Sequence, residues 1–257
     1  MATVRDKFSK EYFEKRARDP SIIFRGRDLS FVKHPFYSRC IRKYMPRGKL
    51  LDIGCGEGSL LKWAGKCRYD VYGIDISEFA ARLSRRALSQ ANLVVGDVRS
   101  LPFEDDCFDV VTCFDVLEHL LEPLIALEEI NRILKGKGIL VMSSPNICSK
   151  GLRWKGNDWY GYRDATHVSL LSGDQWDELL ERAKFRIADR FVDTLWDSPY
   201  FRHIPRALQH LVFKSSLLLL YWTPIRFPRQ WGECLYRVAI KGTHRLEALR
   251  GRRDAEM

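Results

Sequence analysis

The stretch that most limits what this chain can fold into is residues 49–60, K-L-L-D-I-G-C-G-E-G-S-L. Leu50, Leu51 and Ile53 are apolar and suit a short buried strand. Gly54, Gly56 and Gly58 then alternate with Cys55 and Glu57. Glycines this close together remove the Cβ wall from a turn, so a ligand can approach the backbone. Ser59–Lys66 follows as a helix, with Leu60, Leu61 and Trp63 as its apolar contacts. A strand, a glycine turn and a helix start make a cradle whose N–H groups and helix dipole favour polar ligand groups.

The spacing narrows the ligand. A dinucleotide fingerprint reads G-x-G-x-x-G, and here Ser59 stands where its third glycine would fall. A second buried strand spans 71–76 and carries Asp75 at its end, with Ser77 placed to cap a helix over 78–88. A carboxylate there has two acceptor oxygens for the two ribose hydroxyls of a nucleotide. A third strand over 93–98 carries Asp97, and a fourth spans 108–114. An amphipathic helix follows, with Leu124, Leu127, Ile130, Ile133 and Leu134 on one face and Gly136 and Gly138 as its stop. A fifth strand covers 138–144. Strand–helix alternation from 50 to 144 argues for a parallel sheet with helices on both faces. Beyond it, the aromatic-rich stretch 147–169 reads as a loop over a substrate mouth. Ser172 to Gln175 reads as a capping box opening a helix that turns Trp176, Leu179, Leu180 and Ala183 inward, before a strand over 185–192.

The run D-x-G-x-G-x-G at 52–58, the acids Asp75 and Asp97, and F-D-x-V…L-E-H-L…L-x-E-I-x-R-I-L-K-x-x-G resemble the class I S-adenosylmethionine-dependent methyltransferases of the small-molecule type. The resemblance covers roughly residues 48–193. It implies an α/β, Rossmann-like, seven-stranded, mostly parallel sheet, with helical N-terminal and C-terminal additions. It implies S-adenosylmethionine as cofactor, bound by Asp52, Gly54, Gly56, Asp75, Ile76, Asp97, Val98 and Asp115. In the family's pattern Asp97 takes the adenine amino group and the Val98 amide meets the ring. An N-terminal helical segment over the cofactor is implied as well. Adenine N-methylation does not fit, because Asp115-Val116-Leu117-Glu118 stands where that chemistry has an [N/D]-P-P-[Y/F] turn.

Methyl transfer to a hydroxyl needs a proton acceptor. His119 and His167 are the candidates, since each follows a segment at the ligand side of the sheet and imidazole titrates near neutrality. A hydrogen-bonding role in the scaffold is equally open to each. Asp115, Glu118, His119 and His167 also resemble the E/D-x-x-E-H set with a distal His that holds a divalent metal in some quinone-precursor and terminal RNA 2′-O-methyltransferases. The first acid here is Asp and not Glu, and a metal is the less favoured expectation.

Charge divides the chain in three. Residues 1–49 carry +9, residues 50–198 carry −6, and residues 199–257 carry +7. The expected organisation follows that division: an N-terminal helical cap (1–48), a cofactor-binding domain (49–198) and a basic, apolar C-terminal extension (199–257). The apolar stretch 211–222 is too short to span a bilayer, but its arginine flanks suit an anionic membrane surface, with a core helix or a dimer contact as the alternatives. Seven cysteines without a C-x-x-C, and an opening without an apolar leader core, point to a reducing, cytoplasmic place, peripheral to the membrane if the extension binds lipid. Cys55, Cys107, Cys113 and Cys148 read as small buried hydrophobes. The expected acceptor is a hydroxyl on a small or lipid-linked molecule, such as a quinol or glycan carrier. RNA methylation is the alternative drawn from the basic flanks, although no nucleic-acid-binding motif is visible. A non-catalytic cofactor-binding partner protein is the third reading.

Overall fold

The computed structural model describes residues 8–12, 34–88, 91–223 and 226–242. Most of the expected 1–48 cap and residues 243–257 lie outside the described residues. Seven strands form one sheet: β1 (Lys49–Ile53), β2 (Asp70–Asp75), β3 (Asn92–Val95), β4 (Phe108–Phe114), β5 (Leu134–Pro145), β6 (Phe185–Val192) and β7 (Cys234–Lys241). Their order is β3-β2-β1-β4-β5-β7-β6. Strands β1 to β5 are mutually parallel, and β7 runs antiparallel to both β5 and β6. The expected seven-stranded, mostly parallel sheet is therefore present.

Among the described residues from 34 onward, the α-helices are α1 (His34–Tyr37, continued as a π-helical turn Ser38–Arg42), α2 (Ser59–Lys66), α3 (Glu78–Ala87), α4 (Pro123–Ile133), α5 (Lys150–Lys155), α6 (Tyr160–Arg163), α7 (Gly173–Arg182) and α8 (Arg206–Trp222). Alternate strand residues point to opposite faces. Leu50, Val110, Ile139 and Val141 pack with Tyr37 and Ile41 near α1 and with Leu61 and Trp63 of α2. Leu51, Val111, Leu140 and Met142 pack with Leu127 and Ile130 of α4 and Trp176 and Leu180 of α7. Burial on both faces is why these strands read as nearly unbroken apolar runs. Ser77 caps α3 by accepting from the Ala80 amide, and Ser172 with Gln175 closes the expected capping box on α7. Among the described residues, no helix is long and apolar enough to cross a membrane.

Four expectations need correction. The third strand ends at Val95, so Asp97 lies in the turn after it. Helix α4 stops at Ile133 without a glycine cap. Its last carbonyls find tertiary partners instead: Arg132 and Ile133 accept from the amides of Asp106 and Cys107, and Leu134 accepts from Lys241 Nζ. Satisfied carbonyls need no cap. The 147–169 stretch is largely helical, comprising α5, a 3₁₀ turn over Gly156–Asp158 and α6. Cys148 is exposed and Cys107 only half-buried, whereas Cys55 and Cys113 are buried as expected.

The seventh strand comes from 234–241, beyond the 49–198 span assigned to the cofactor-binding domain. Arg237 interrupts its apolar run yet is buried, bonded to Asp177, to the Gly173 carbonyl and to the Tyr236 carbonyl. The residue before β7, Glu233, is a hub at this end of the sheet. It accepts from Ser149 Oγ at 3.2 Å, from Trp159 Nε1 at 2.6 Å and from the Tyr200 hydroxyl. Asp197 accepts from Lys155 Nζ at 2.7 Å, Arg163 at 2.6 Å and the Tyr160 amide at 3.0 Å. Asp193 accepts from the Cys234 amide and Trp196 Nε1, each at 2.7 Å.

Candidate active site

The glycine turn adopts the conformation its sequence requires. Gly54 and Gly56 have φ of +70° and +52°, in the left-handed region open to glycine. A Cβ at Gly54 would strike Val116, whereas beside Gly56 the space is open, its nearest neighbour being the Gly54 carbonyl at 4.0 Å. That opening is the wall-free approach expected of a cofactor cradle.

Carboxylates line the carboxyl ends of the adjacent parallel strands, where ligands bind in open α/β sheets. Asp75, at the end of β2, is buried and accepts the Gly56 amide at 3.0 Å and the Ser77 amide at 2.8 Å. Burial pushes its carboxyl above the usual range, against the pull of those two amides. Each oxygen keeps a further lone pair, so the group can still accept two hydroxyls. Ile76 follows directly, half-buried. Asp52 in β1 is buried and accepts the Thr112 hydroxyl at 2.7 Å; burial raises its pKa to about 7. Asp97 is gripped by Arg99 through Nε at 3.1 Å and a terminal nitrogen at 2.6 Å, which holds its carboxyl below the usual range. Val98 beside it is buried. Asp115, the first residue past β4, has φ of +55° and accepts from Ser143 Oγ at 2.7 Å.

The two histidines come together. Their ring centroids are 4.8 Å apart. A 3₁₀ turn over Leu117–His119 is tied to the later segment by the Val168 and Ser169 amides, both donating to the Glu118 carbonyl at 2.9 Å. Thr166 Oγ1 lies 2.8 Å from His119 Nδ1 and donates to Asp164 Oδ1 at 2.5 Å. Having given its hydrogen to a carboxylate, Thr166 accepts from His119, so the His119 proton sits on Nδ1. His167 Nδ1 is 2.7 Å from the Gly161 carbonyl oxygen, which can only accept, so that ring also carries its proton on Nδ1. With the proton on Nδ1, the neutral form of either ring would present its lone pair on Nε2. Burial raises the Asp164 carboxyl, but the Thr166 contacts and the two histidines outweigh it and leave it below the usual range. Tyr12 donates to Asp164 Oδ2 at 3.0 Å and Phe8 packs edge-on to His119 at 5.2 Å. The described N-terminal residues thus lie against the histidine pair.

Glu118, His119 and His167 bring one ligand atom each within 4.8 Å of one another. Asp115, named with them from the sequence, is not in that group. Asp164, Thr166, Tyr12 and Phe8 were missed by sequence reasoning. The first two were visible in D-A-T-H, flanking the histidine, but nothing in the sequence indicates that the motif folds back on His119.

A doubly wound sheet with a glycine cradle after β1 and acids after β2 and β4 defines a nucleotide-cofactor-binding transferase of the class I methyltransferase type. The chain belongs to the methyltransferase domain family, whose sequence profile matches residues 26–189. It is an S-adenosylmethionine-dependent methyltransferase. An uncharacterized protein of Methanocaldococcus jannaschii is 27% identical over 192 residues, 72% of this chain and 70% of that one. The demethylmenaquinone methyltransferase of Staphylococcus aureus is 37% identical over 123 residues, 44% of this chain and about half (51%) of the relative's length. Among solved structures, the fold is shared with the complex of the Haloferax volcanii Trm112 methyltransferase activator and a putative methyltransferase, at TM-score 0.64 and 20% identity, covering 94% of this chain and 99% of that one. It is shared too with an Archaeoglobus fulgidus S-adenosylmethionine-dependent methyltransferase, at TM-score 0.60 and 21% identity, covering 89% and 98%.

Proposed function

We propose that the chain methylates a hydroxyl of a small or lipid-linked acceptor, of the quinol or glycan-carrier kind. The observation that carries this reading is the His119–His167 pair, with both Nδ1 protons fixed by Thr166 and Gly161. When bound, S-adenosylmethionine supplies a methyl group on a sulfonium sulfur. Asp75 would hold the ribose hydroxyls, the Gly54–Gly56 turn would let the cofactor close on the backbone, and Asp97 with the Val98 amide would take the adenine. Asp52 and Asp115 would line the same strand ends. One imidazole Nε2 would accept the hydroxyl proton as the new oxygen–carbon bond forms and the sulfur–methyl bond breaks, its electron pair staying on sulfur as a neutral thioether, and Asp164 would stabilise the imidazolium through Thr166.

One relative acts, by its name, on demethylmenaquinone, which is compatible with a quinone-class acceptor. A lipid-linked hydroxyl is presented at a membrane surface, so this reading places the enzyme there as a peripheral protein facing the cytoplasm. The family resemblance also leaves room for a divalent ion on Glu118, His119 and His167, which together offer a carboxylate oxygen and two imidazole nitrogens. Turnover unchanged by a chelator favours the imidazole base, and turnover lost with it and restored by Mg²⁺ favours the ion.

The test is untargeted. Purified protein is incubated with methyl-labelled S-adenosylmethionine and lipid, glycan and RNA extracts. Label recovered as a methyl ether in the lipid or glycan fraction, and absent with His167→Ala, supports the reading. Label in RNA overturns it in favour of nucleic-acid methylation. No label in any fraction, with cofactor still bound, favours a non-catalytic partner.

A further inference from the structure

Helix α8 presents two contrasting faces. Gln209 and Leu220 are buried, and Phe213 packs against the Tyr200 ring at 4.8 Å. The Gln209 side chain alone makes four hydrogen bonds: its amide nitrogen donates to the Phe201 and Ile204 carbonyls at 2.7 and 2.8 Å, and its oxygen accepts the Tyr200 and Phe201 amides at 2.7 and 3.0 Å. Arg39 donates to the Leu220 carbonyl near the other end. The helix is thus fixed to the domain along its inner face.

The outer face is apolar and uncovered. Leu208, Leu211, Val212, Leu219 and Trp222 leave 45–66% of their surface in solvent. Their spacing puts them on one side of a helix, over a ridge of about 20 Å. Phe201 and Ile204 extend the ridge at its entry, both exposed. The polar groups near this face are already satisfied: Ser215 Oγ donates to the Leu211 carbonyl and Thr223 Oγ1 to the Leu219 carbonyl, each at 2.7 Å. Neither would carry an unmade hydrogen bond into an apolar medium.

Charge points to what covers the ridge. Residues 199–232 contain no Asp or Glu and five Lys or Arg. Arg202 and Arg206 are exposed at the start of the helix. A cation there opposes the helix dipole, which favours an anion at that end. Two exposed guanidinium groups and the positive end of the dipole thus lie at the same end of the helix, where an anionic group is favoured. At the far end Trp222 has the amphipathic ring that settles at headgroup level. A second copy packed with its helix parallel to this one would bring Arg202 and Arg206 against their own counterparts.

We propose that the outer face of α8 lies flat in the headgroup region of an anionic bilayer, with Leu208, Leu211, Val212, Leu219 and Trp222 below the phosphates and Arg202 and Arg206 against them. This deepens the reading of a lipid-linked acceptor and rests on it only for the membrane location. The test is sedimentation of the full chain with phosphatidylcholine vesicles, with and without phosphatidylglycerol, at rising salt. The protein pellets with the anionic vesicles at low salt and is released as salt rises, since surface charge is screened over about 8–10 Å. Leu211→Glu, at an exposed site, weakens the partition about 10-fold or more through lost apolar burial. Arg202→Gln with Arg206→Gln weakens it about 10-fold and flattens its salt dependence. Cofactor affinity, measured in parallel, stays unchanged in both variants. Protein that remains in the supernatant with anionic vesicles at low salt overturns the proposal, as does a soluble dimer that Leu211→Glu dissociates. Protein that pellets but labels no lipid refutes the acceptor reading alone; protein that labels a lipid in detergent yet never pellets refutes the surface alone.

Discussion

Two groups of acids lie in the parallel part of the sheet and around its antiparallel strands, and their hydrogen bonds differ. At the parallel end, Asp75 accepts two backbone amides, Asp52 one hydroxyl and Asp115 one hydroxyl. At the antiparallel end, Glu233 accepts from three side chains, Asp197 from an ammonium, a guanidinium and an amide, and Asp193 from an amide and an indole. Burial raises the carboxyls of Asp52, Asp75, Asp193, Asp197 and Glu233 alike, so burial alone does not separate the groups. The kind of donor does, more than the number, since Asp193 like Asp75 accepts one bond on each oxygen. An acid held by backbone amides at a strand end keeps lone pairs for a ligand, whereas one met by Trp, Tyr, Lys and Arg donors is committed to the scaffold.

The sharpest way to break this contrast is to remove a group beside the first set. His167→Ala lowers turnover about 10²–10⁴-fold while calorimetric cofactor affinity persists, if the histidine pair takes the proton. A smaller loss of turnover would make the pair scaffold, like the second set. Next in size, Asp75→Ala weakens cofactor binding by about 2–4 kcal/mol in isothermal titration, with a minor change in unfolding midpoint. Unchanged affinity would remove Asp75 from the ribose. Glu233→Gln should do the reverse. It sets an amide NH₂ among the donors of Ser149, Trp159 and Tyr200, costing about 1–3 kcal/mol of stability in urea unfolding and leaving cofactor affinity intact.

A pH dependence tests the first set from a different side. Burial holds the folded Asp52 pKa at about 7 against the pull of the Thr112 hydroxyl. An unfolded Asp titrates near 3.9, so the folded state keeps the proton over that interval. The contribution of Asp52 is complete below about pH 4 and is lost as pH rises to about 7. Asp52→Asn, unfolded in urea at stepped pH without cofactor, should flatten that decline, by up to about 4 kcal/mol. An unaltered slope would show that the carboxyl is already ionised in the fold.

The same contrast explains what the sequence reveals. Asp52, Gly54, Gly56 and Asp75 are legible because strand, turn and helix start are local, and their geometry depends on residues within a few positions. The histidine pair is half legible. His119 and His167 stand out as residue types, but their shared Thr166–Asp164 support depends on a backfold that spans 47 residues. The antiparallel end is the least legible. Arg237 breaks the apolar run of β7, and its burial depends on Asp177 in a distant helix. Glu233 reads as an ordinary acid until Gly151 is seen to leave room for its carboxylate. The 147–169 aromatics suggest a mouth, yet Trp159 is core, because Glu233 satisfies its indole N–H.

The position of β7 has a consequence for a chain made from its N-terminus. Strand β6 precedes β7 in the chain, but β7 lies between it and β5. A ribosome therefore delivers β6 before the strand that will hold it. Until residues 234–241 emerge, β5 has one bare edge and β6 has no neighbour in the sheet. Two open edges, in a chain that also carries an apolar helix over 206–222, invite pairing between nascent copies. The last strand to emerge closes both edges at once. A nascent chain stalled or cut before residue 234 should therefore clump or engage a chaperone, and should not persist as a smaller version of the enzyme.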